Sequence, residues 1–550
     1  MKPQSLPDRA LGILRAAVPG QILAVLLMGA GLALRLVDLA DRPLWYDEAI
    51  AILLARTGPA EIVQAALGSG AGTAANVHPP FYFFLLWGWG RLLGDSVVAA
   101  RILSGLCGIG AMVGIGLLAK EMFGHRTGWA ASALLALAPF QVHYAREARM
   151  YALLTLLMLL ATLVAWRGVR HPGGRLNWFL LGLFSALGMY THILAAFYLA
   201  VLYILLACTG SAKARRSAIA AAGLGLLLFL PWLLQLPAQI AKVSQGYWIA
   251  PPGWVELLQT LLAFLAGMPL IGIGLPIGLF GALLVIALGG YLAVRFVDPE
   301  ERRSRPLLWA ASLAFGPMLL LFMVSRWQPV YIHRGLLPSA AAALLMLAWA
   351  MTSSSIPRSG RVLMGMALAL AFTSGLGSDF SYRGFPYAPY SAINAYIAER
   401  RMGRDLVLHS NKLTALPAIY YDPSLPHHFL ADPPGSGSDT LALPTQAVLG
   451  IRADRTPAEA TRGAERVFFL VFERELEEYA RLDDGQHPHL SWLRQHFAML
   501  AESRWDDLLL FEFVKSPAPA ALKFGVETDA CVGSRAMLGG DAPSRMKDGP

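Results

Sequence analysis

Long apolar runs separated by short charged connections set the pattern of this 550-residue chain. Uncharged or nearly uncharged stretches recur at about 16–34, 97–119, 127–142, 150–166, 177–190, 192–208, 217–236, 272–294, 307–325, 336–351 and 361–377. Each is long enough, or nearly so, to cross about 30 Å of hydrocarbon as a helix, which satisfies its own backbone groups there. Two more apolar stretches, "HPPFYFFLLWGWGRLLG" (78–94) and "GWVELLQTLLAFLAG" (253–267), are short and aromatic. They are predicted to lie in or dip into the outer interface, where Trp and Tyr rings are comfortable.

The pattern changes after about residue 378. "SAINAYIAERR" has a helical period, "DLVLHS" is a short β-type run followed by another helix, and "ERVFFLVFE" and "DLLLFEFV" read as strands. The expected organisation is a transmembrane domain over 1–377, a soluble extracytoplasmic α/β domain over 378–525, and a disordered tail over 526–550.

Composition agrees: 56% of residues are hydrophobic and 15% charged, against roughly 25% charged in an ordinary soluble domain. The fold class is therefore a polytopic α-helical membrane protein. A net charge of +9 does not signal nucleic acid, because Arg and Lys gather in short loops. "WRGVRHPGGR" (166–175), "AKARR" (212–216), "ERRSR" (301–305) and "PRSGR" (357–361) all fall on the cytoplasmic face if crossings alternate. A full crossing at 78–94 would reverse the loops downstream of it. The odd count of about eleven carries the C-terminal domain outside. The opening, with basic residues before 19 uncharged ones, reads as a retained signal anchor with a cytoplasmic N-terminus. Cys107 and Cys208 sit in apolar runs and Cys531 in a polar tail, so no disulfide framework is readable.

This topology gathers the polar outliers into one outer layer. Asp47 and Glu48 occupy the first outer loop, His78 opens the first interfacial helix, and Arg101 begins the second crossing. Glu147, Arg149 and Tyr151 share the turn "YAREARMYAL"; His192 lies in another turn; Arg326 and Arg334 belong to "SRWQPVYIHRGLLP". Ionisable groups at membrane depth are costly unless paired or functional, so a common layer of them implies a shared cavity. Arginine forks suit a phosphate, and a lipid-linked phosphate would bring its anion to this depth. A carboxylate nearby can take the proton of an attacking hydroxyl. A departing phosphate needs no proton, so one such base suffices where glycoside hydrolysis needs two carboxyls, while arginines hold the charge developing on the leaving group.

These segments resemble a known family. "LWYDEA", "HPPFYFFLLW", "AARILSGLCG", "LALAPFQVHYAREARMYAL" and "YIHRGLLP", in this order, are similar to the GT-C superfamily of integral membrane glycosyltransferases, above all family 39. That family includes the protein O-mannosyltransferases and the bacterial lipid A aminoarabinose transferases. The resemblance is strongest over residues 30–205. It implies a GT-C fold of about 11–13 transmembrane helices and an inverting hexosyl- or pentosyltransferase. The donor is a polyprenyl-phosphate sugar, and the acceptor is a hydroxyl or phosphate of a lipid, glycan or protein. By the same resemblance Asp47 is the catalytic base with Glu48 beside it. The resemblance also places His78 at the site, Arg101 near the donor and Arg334 at a phosphate contact; alongside them Arg149 is expected to contact the donor phosphate, and Glu147 and Tyr151 to line the substrate site. The family's late Arg-Tyr element is Arg334-Gly335 here. With the charge topology, the resemblance implies a bacterial inner membrane and a periplasmic site.

Plainer roles compete. His78 can cap the helix begun by Pro79 and Pro80; Arg101 can snorkel to headgroups; Glu147 can pair with Arg146 or Arg149; Tyr151 can be an interface anchor and His192 a structural residue. Asp47, Glu48, His78 and Glu147 could converge on a divalent metal, but they have no fixed ligand spacing and no metal is assigned. The competing functions are a flippase or transporter of lipid-linked sugars without covalent transfer, and a non-catalytic scaffold.

Overall fold

The computed structural model describes residues 6–67, 78–244, 249–302, 304–432, 440–481 and 485–515. The tail expected over 526–550 lies outside the described residues. All eleven apolar runs are helical. Among the described residues seven helices are long and apolar enough to cross a membrane: Val97–Phe123, Tyr151–Arg170, Ala212–Leu233, Gly274–Phe296, Arg305–Ser325, His333–Thr352 and Arg358–Ser381. The run at 16–34 lies in the 31-residue helix Leu6–Leu36, and shorter helices fill the remaining runs, among them Ala195–Thr209 and the 17-residue Arg175–Thr191.

The run at 127–142 is not one helix. Ala138 is extended, with φ −60° and ψ 119°, because Pro139 disfavours the helical conformation before it and supplies no N–H. The result is a helix over His125–Leu137 and a short one over Pro139–Ala145. The carbonyls stranded at this break accept from the fully buried Arg35, whose Nη1 lies 2.6 Å from Ala136 O and Nη2 3.1 Å from Leu135 O. A helix end buried in apolar surroundings requires such a partner. The two aromatic stretches form helices of 13 residues each, Phe81–Leu93 and Trp254–Ala266. At about 1.5 Å per residue each spans about 20 Å, short of a hydrocarbon core.

Contacts between helices sort their ends into two layers. Near the basic turns, Arg167 Nε donates to Glu121 Oε1 at 2.7 Å, Ser355 Oγ to Glu301 at 2.7 Å, and Thr127 meets Thr352 at 2.7 Å. Arg101 stands twenty residues before Glu121 on the same helix, about 30 Å away. The charged side chains predicted for the outer layer gather at the Arg101 end. Glycines permit close helix crossings: a Cβ at Gly281 would fall 2.8 Å from Ala371 N, and one at Gly375 would collide with Ala266 O.

The C-terminal region holds a six-stranded mixed sheet. Its strands are β1 (Leu406–His409), β2 (His427–Leu430), β3 (Ala453–Asp454), β4 (Arg466–Phe472), β5 (Phe497–Trp505) and β6 (Leu508–Lys515), in the order β3-β2-β1-β4-β6-β5. β1 pairs in parallel with β2 and β4, Leu408 facing His428 and Phe469, and β6 pairs antiparallel with β4 and β5. Alternate residues of β4 enter two cores: Val467, Phe469 and Val471 on one face, Phe468, Leu470 and Phe472 on the other. Burial on both faces explains why "RVFFLVF" is a continuous apolar run rather than an alternating one.

This region docks on the membrane part through the helix Lys412–Tyr421. Leu416 joins the same buried cluster as Ala49 and Ile52 of the helix Tyr46–Thr57. The Arg56 guanidinium lies 4.5 Å from the Tyr420 ring, and Lys412 Nζ 5.7 Å from the Tyr46 ring.

Candidate active site

Asp47 and Glu48 open the helix Tyr46–Thr57, where the N-terminal end of the helix dipole favours negative charge. Successive helical residues point about 100° apart, and the two carboxylates have different surroundings. Glu48 is fully buried. Arg101 grips it through Nε to Oε1 at 2.8 Å and Nη2 to Oε2 at 2.7 Å, and the backbone N–H of Ala148 donates to Oε1 at 2.8 Å. The remaining Arg101 hydrogens go to the carbonyls of Leu39 (2.7 Å), Arg42 (2.8 Å) and Pro43 (3.2 Å). All five guanidinium donors are thus consumed inside the protein. Arg101 is a strut that ties the turn 39–43 to Glu48, leaving no guanidinium hydrogen free for the phosphate contact expected of it, while Glu48 accepts two hydrogen bonds on Oε1 and one on Oε2.

Asp47 is the open member of the pair. Its Oδ2 lies 3.0 Å from Arg334 Nη1 and 3.6 Å from Arg149 Nη2, and its side chain retains 14% exposure. Arg149 also donates through Nη1 to Asp47 O at 3.0 Å and faces His78 Nε2 with Nη2 at 3.2 Å. His78 is therefore not a cap: Pro80 is the cap position of the helix that follows, and that cap has no side-chain hydrogen bond. Burial, then the charge of Arg149 and the neighbouring His192, hold the His78 imidazole well below its ordinary pKa. It is neutral and can accept from Arg149. Tyr151 floors the site, its ring 5.6 Å from the Arg334 guanidinium and 6.0 Å from that of Arg149, and Trp45 lies 5.8 Å from Arg334.

His192 belongs to the site as well. Its ring stands 5.3 Å from His78 and 5.8 Å from Tyr151, and its Nε2 is buried without a hydrogen-bond partner. Glu147 pairs with neither Arg146 nor Arg149. Its Oε1 accepts from the Tyr387 hydroxyl at 3.0 Å and lies 3.3 Å from His143 Nε2 and 3.7 Å from Arg42 Nη2. Arg146 instead donates to Asp379 Oδ2 at 3.1 Å, and His143 Nδ1 lies 2.5 Å from Asp379 Oδ1. Arg326 is apart from the site and donates to Pro252 O at 2.8 Å. Arg42, His143, Asp379 and Tyr387 were not singled out in the sequence. Asp379 could have been: it is an acid at the end of the last long apolar run, the position where cost implies a partner.

The arrangement offers two guanidinium groups converging on one carboxylate, over aromatic faces, with a neutral imidazole and a second carboxylate alongside. It suits recognition of a phosphate next to a proton acceptor. The four-residue convergence considered for a metal does not form, because Glu48 turns into Arg101. Among the described residues no group of three or more His, Cys, Asp or Glu is placed to hold a metal ion.

A family profile described as dolichyl-phosphate-mannose-protein mannosyltransferase matches residues 77–234. ArnT from Cupriavidus metallidurans in the apo state superposes with a TM-score of 0.58 at 15% identity, over 90% of this chain and 98% of that one. The same protein bound to undecaprenyl phosphate gives 0.54 at 16% identity, over 89% and 97%. No curated protein matches the chain. The likeness to ArnT shows a shared fold over most of both chains, and the profile match places a mannosyltransferase-like segment within it. The chain is thus similar to the protein mannosyltransferases over residues 77–234 and to ArnT in its fold.

Proposed function

We propose that the protein transfers a sugar, with inversion, from a polyprenyl-phosphate donor to a hydroxyl or phosphate of a lipid, glycan or protein at the outer face of a bacterial inner membrane. The observation that carries this reading is the position of Asp47 between Arg334 (3.0 Å) and Arg149 (3.6 Å). The undecaprenyl phosphate bound by ArnT supports the choice of donor class. The basic turns, remote from Asp47, support a periplasmic site. Residues 378–525 form the extracytoplasmic unit.

In the proposed reaction Arg149 and Arg334 exchange the Asp47 carboxylate for the donor phosphate. Asp47, released from them, accepts the proton of the acceptor hydroxyl as its oxygen attacks the anomeric carbon. The bond from that carbon to the phosphate oxygen breaks, its electron pair stays on the phosphate, and the two arginines stabilise the added charge. Attack opposite the leaving group inverts the anomeric centre. His78 holds Arg149 in place, while Tyr151 and Glu147 line the sugar's path. Glu48 and Arg101 position Asp47 without touching substrate.

The test is mass spectrometry of envelope lipids and proteins from cells with wild-type protein and with Asp47→Asn. A species that loses one sugar in the variant supports transfer. Movement of a lipid-linked sugar across reconstituted vesicles without any covalent product would support the transporter instead.

A further inference from the structure

The segment "RGFPYAPY" (383–390) joins the helix Arg358–Ser381 to the α/β unit. Two of its aromatic residues are anchored in that unit. Phe385 packs edge-on against Phe472 of β4 with ring centroids 5.0 Å apart, and Tyr390 is fully buried in the core on the same face of the sheet. Between these anchors Tyr387 turns the other way. It is buried at 6% exposure, and its backbone N–H donates to Gly384 O at 3.1 Å.

The Tyr387 side chain meets three parts of the membrane domain at once. Its hydroxyl accepts from Arg42 Nη2 at 2.5 Å and donates to Glu147 Oε1 at 3.0 Å. Its ring lies 4.8 Å from the Arg42 guanidinium and 6.2 Å, edge-on, from Trp45, the residue beside Arg334. With Tyr387, His143 and Arg42 all on Oε1, the second Glu147 oxygen is left buried without a partner. A buried carboxylate oxygen in that condition is costly unless something polar meets it, and Glu147 lies two residues from Arg149.

We infer that Tyr387 is a positioning residue of the transfer reaction: it fixes the Glu147 carboxylate so that Oε2 accepts from a sugar hydroxyl, and it braces Trp45 beneath Arg334. The α/β unit thereby completes the site, since both anchors of Tyr387 belong to it. The inference rests on the glycosyl-transfer reading above.

The experiment uses the full chain in lipid nanodiscs and in cells, comparing wild type, Tyr387→Phe, Tyr387→Ala, Glu147→Gln and the double variant Tyr387→Phe/Glu147→Gln. Three quantities are read: affinity for undecaprenyl phosphate, yield of the sugar-bearing product per folded protein, and thermal unfolding. Tyr387→Phe keeps the ring on Trp45 and loses the hydroxyl. It is expected to lower product about tenfold or more, the scale of a hydrogen bond to a charged group, with affinity changed by no more than about twofold. In the Glu147→Gln background the same change should add little, because two residues acting through one contact are not additive. Tyr387→Ala should also weaken undecaprenyl phosphate binding.

The inference is overturned if Tyr387→Phe transfers sugar at near the wild-type level, if its loss multiplies with that of Glu147→Gln, or if product falls only as folded protein falls. Wild-type protein that neither binds undecaprenyl phosphate nor forms a product would remove the glycosyl-transfer reading itself, and this inference with it.

Discussion

Asp47 and Glu48 are adjacent carboxylates on one helical turn, each facing arginine, yet their surroundings differ in what remains unsatisfied. Around Glu48 every donor is used: Arg101 spends all five hydrogens on the two carboxylate oxygens and three backbone carbonyls. Around Asp47 two arginines approach a single oxygen at 3.0 and 3.6 Å, and the side chain keeps some contact with solvent. A closed set of partners holds structure and has nothing to offer a ligand. An open set, in which two cations share one anion, can trade that anion for another.

That comparison can be broken at Arg101. Arg101→Ala strands a fully buried carboxylate and three carbonyls, a loss of about 3–5 kcal/mol for a broken buried pair. Thermal unfolding of the purified protein should show it as a large drop, with activity lost along with folded material. Next comes Arg334→Ala. Its loss should fall on turnover, about 10²–10³-fold for removing one group that stabilises the developing charge, while the unfolding temperature stays near wild type. If Arg334→Ala instead unfolds the protein and Arg101→Ala is merely inactive, the two sites have been assigned the wrong way round. The smallest effect is expected far from both. Arg481→Ala removes an exposed pair with Glu477 at 3.5 Å and should cost no more than about 0.5 kcal/mol, with product formation unchanged.

Much of the membrane part was legible because hydrocarbon leaves the chain few options: an apolar run there turns helical, as all eleven runs do, one of them broken in two at Pro139. The break at Pro139 is explained by a local rule, although its buried cap, Arg35, comes from about 100 residues away. In the α/β unit, β1, β4 and β6 were readable because they are apolar and central. β2, "HHFL", is half histidine and only partly buried, and β3 is two residues long. β5, "FAMLAESRW", is a largely exposed edge strand with polar residues and a register shift between Met499 and Ala501, so neither periodicity nor an apolar run marked it.

The candidate site was legible as a layer and illegible as a set of pairings. The rule that charged groups at membrane depth need partners brought Asp47, His78, Glu147, Arg149 and Arg334 together. It did not distinguish a donor that will be spent on backbone carbonyls from one that stays available, and so Arg101 read like Arg334. The carbonyls of Leu39, Arg42 and Pro43 have no signature in the sequence. Tyr387 lies 240 residues from Glu147, and no charge or periodicity in the stretch around it signals that contact.

Asp47→Asn in purified, nanodisc-embedded protein tests the central claim most directly, with sugar transfer and undecaprenyl phosphate affinity measured on the same sample. Transfer should fall by about 10²–10⁴-fold, the usual contribution of a general base. Affinity for the lipid phosphate should hold or rise, since Arg149 and Arg334 no longer have an internal anion competing for them. Transfer at the wild-type rate, or loss of phosphate binding in a folded variant, would contradict the account.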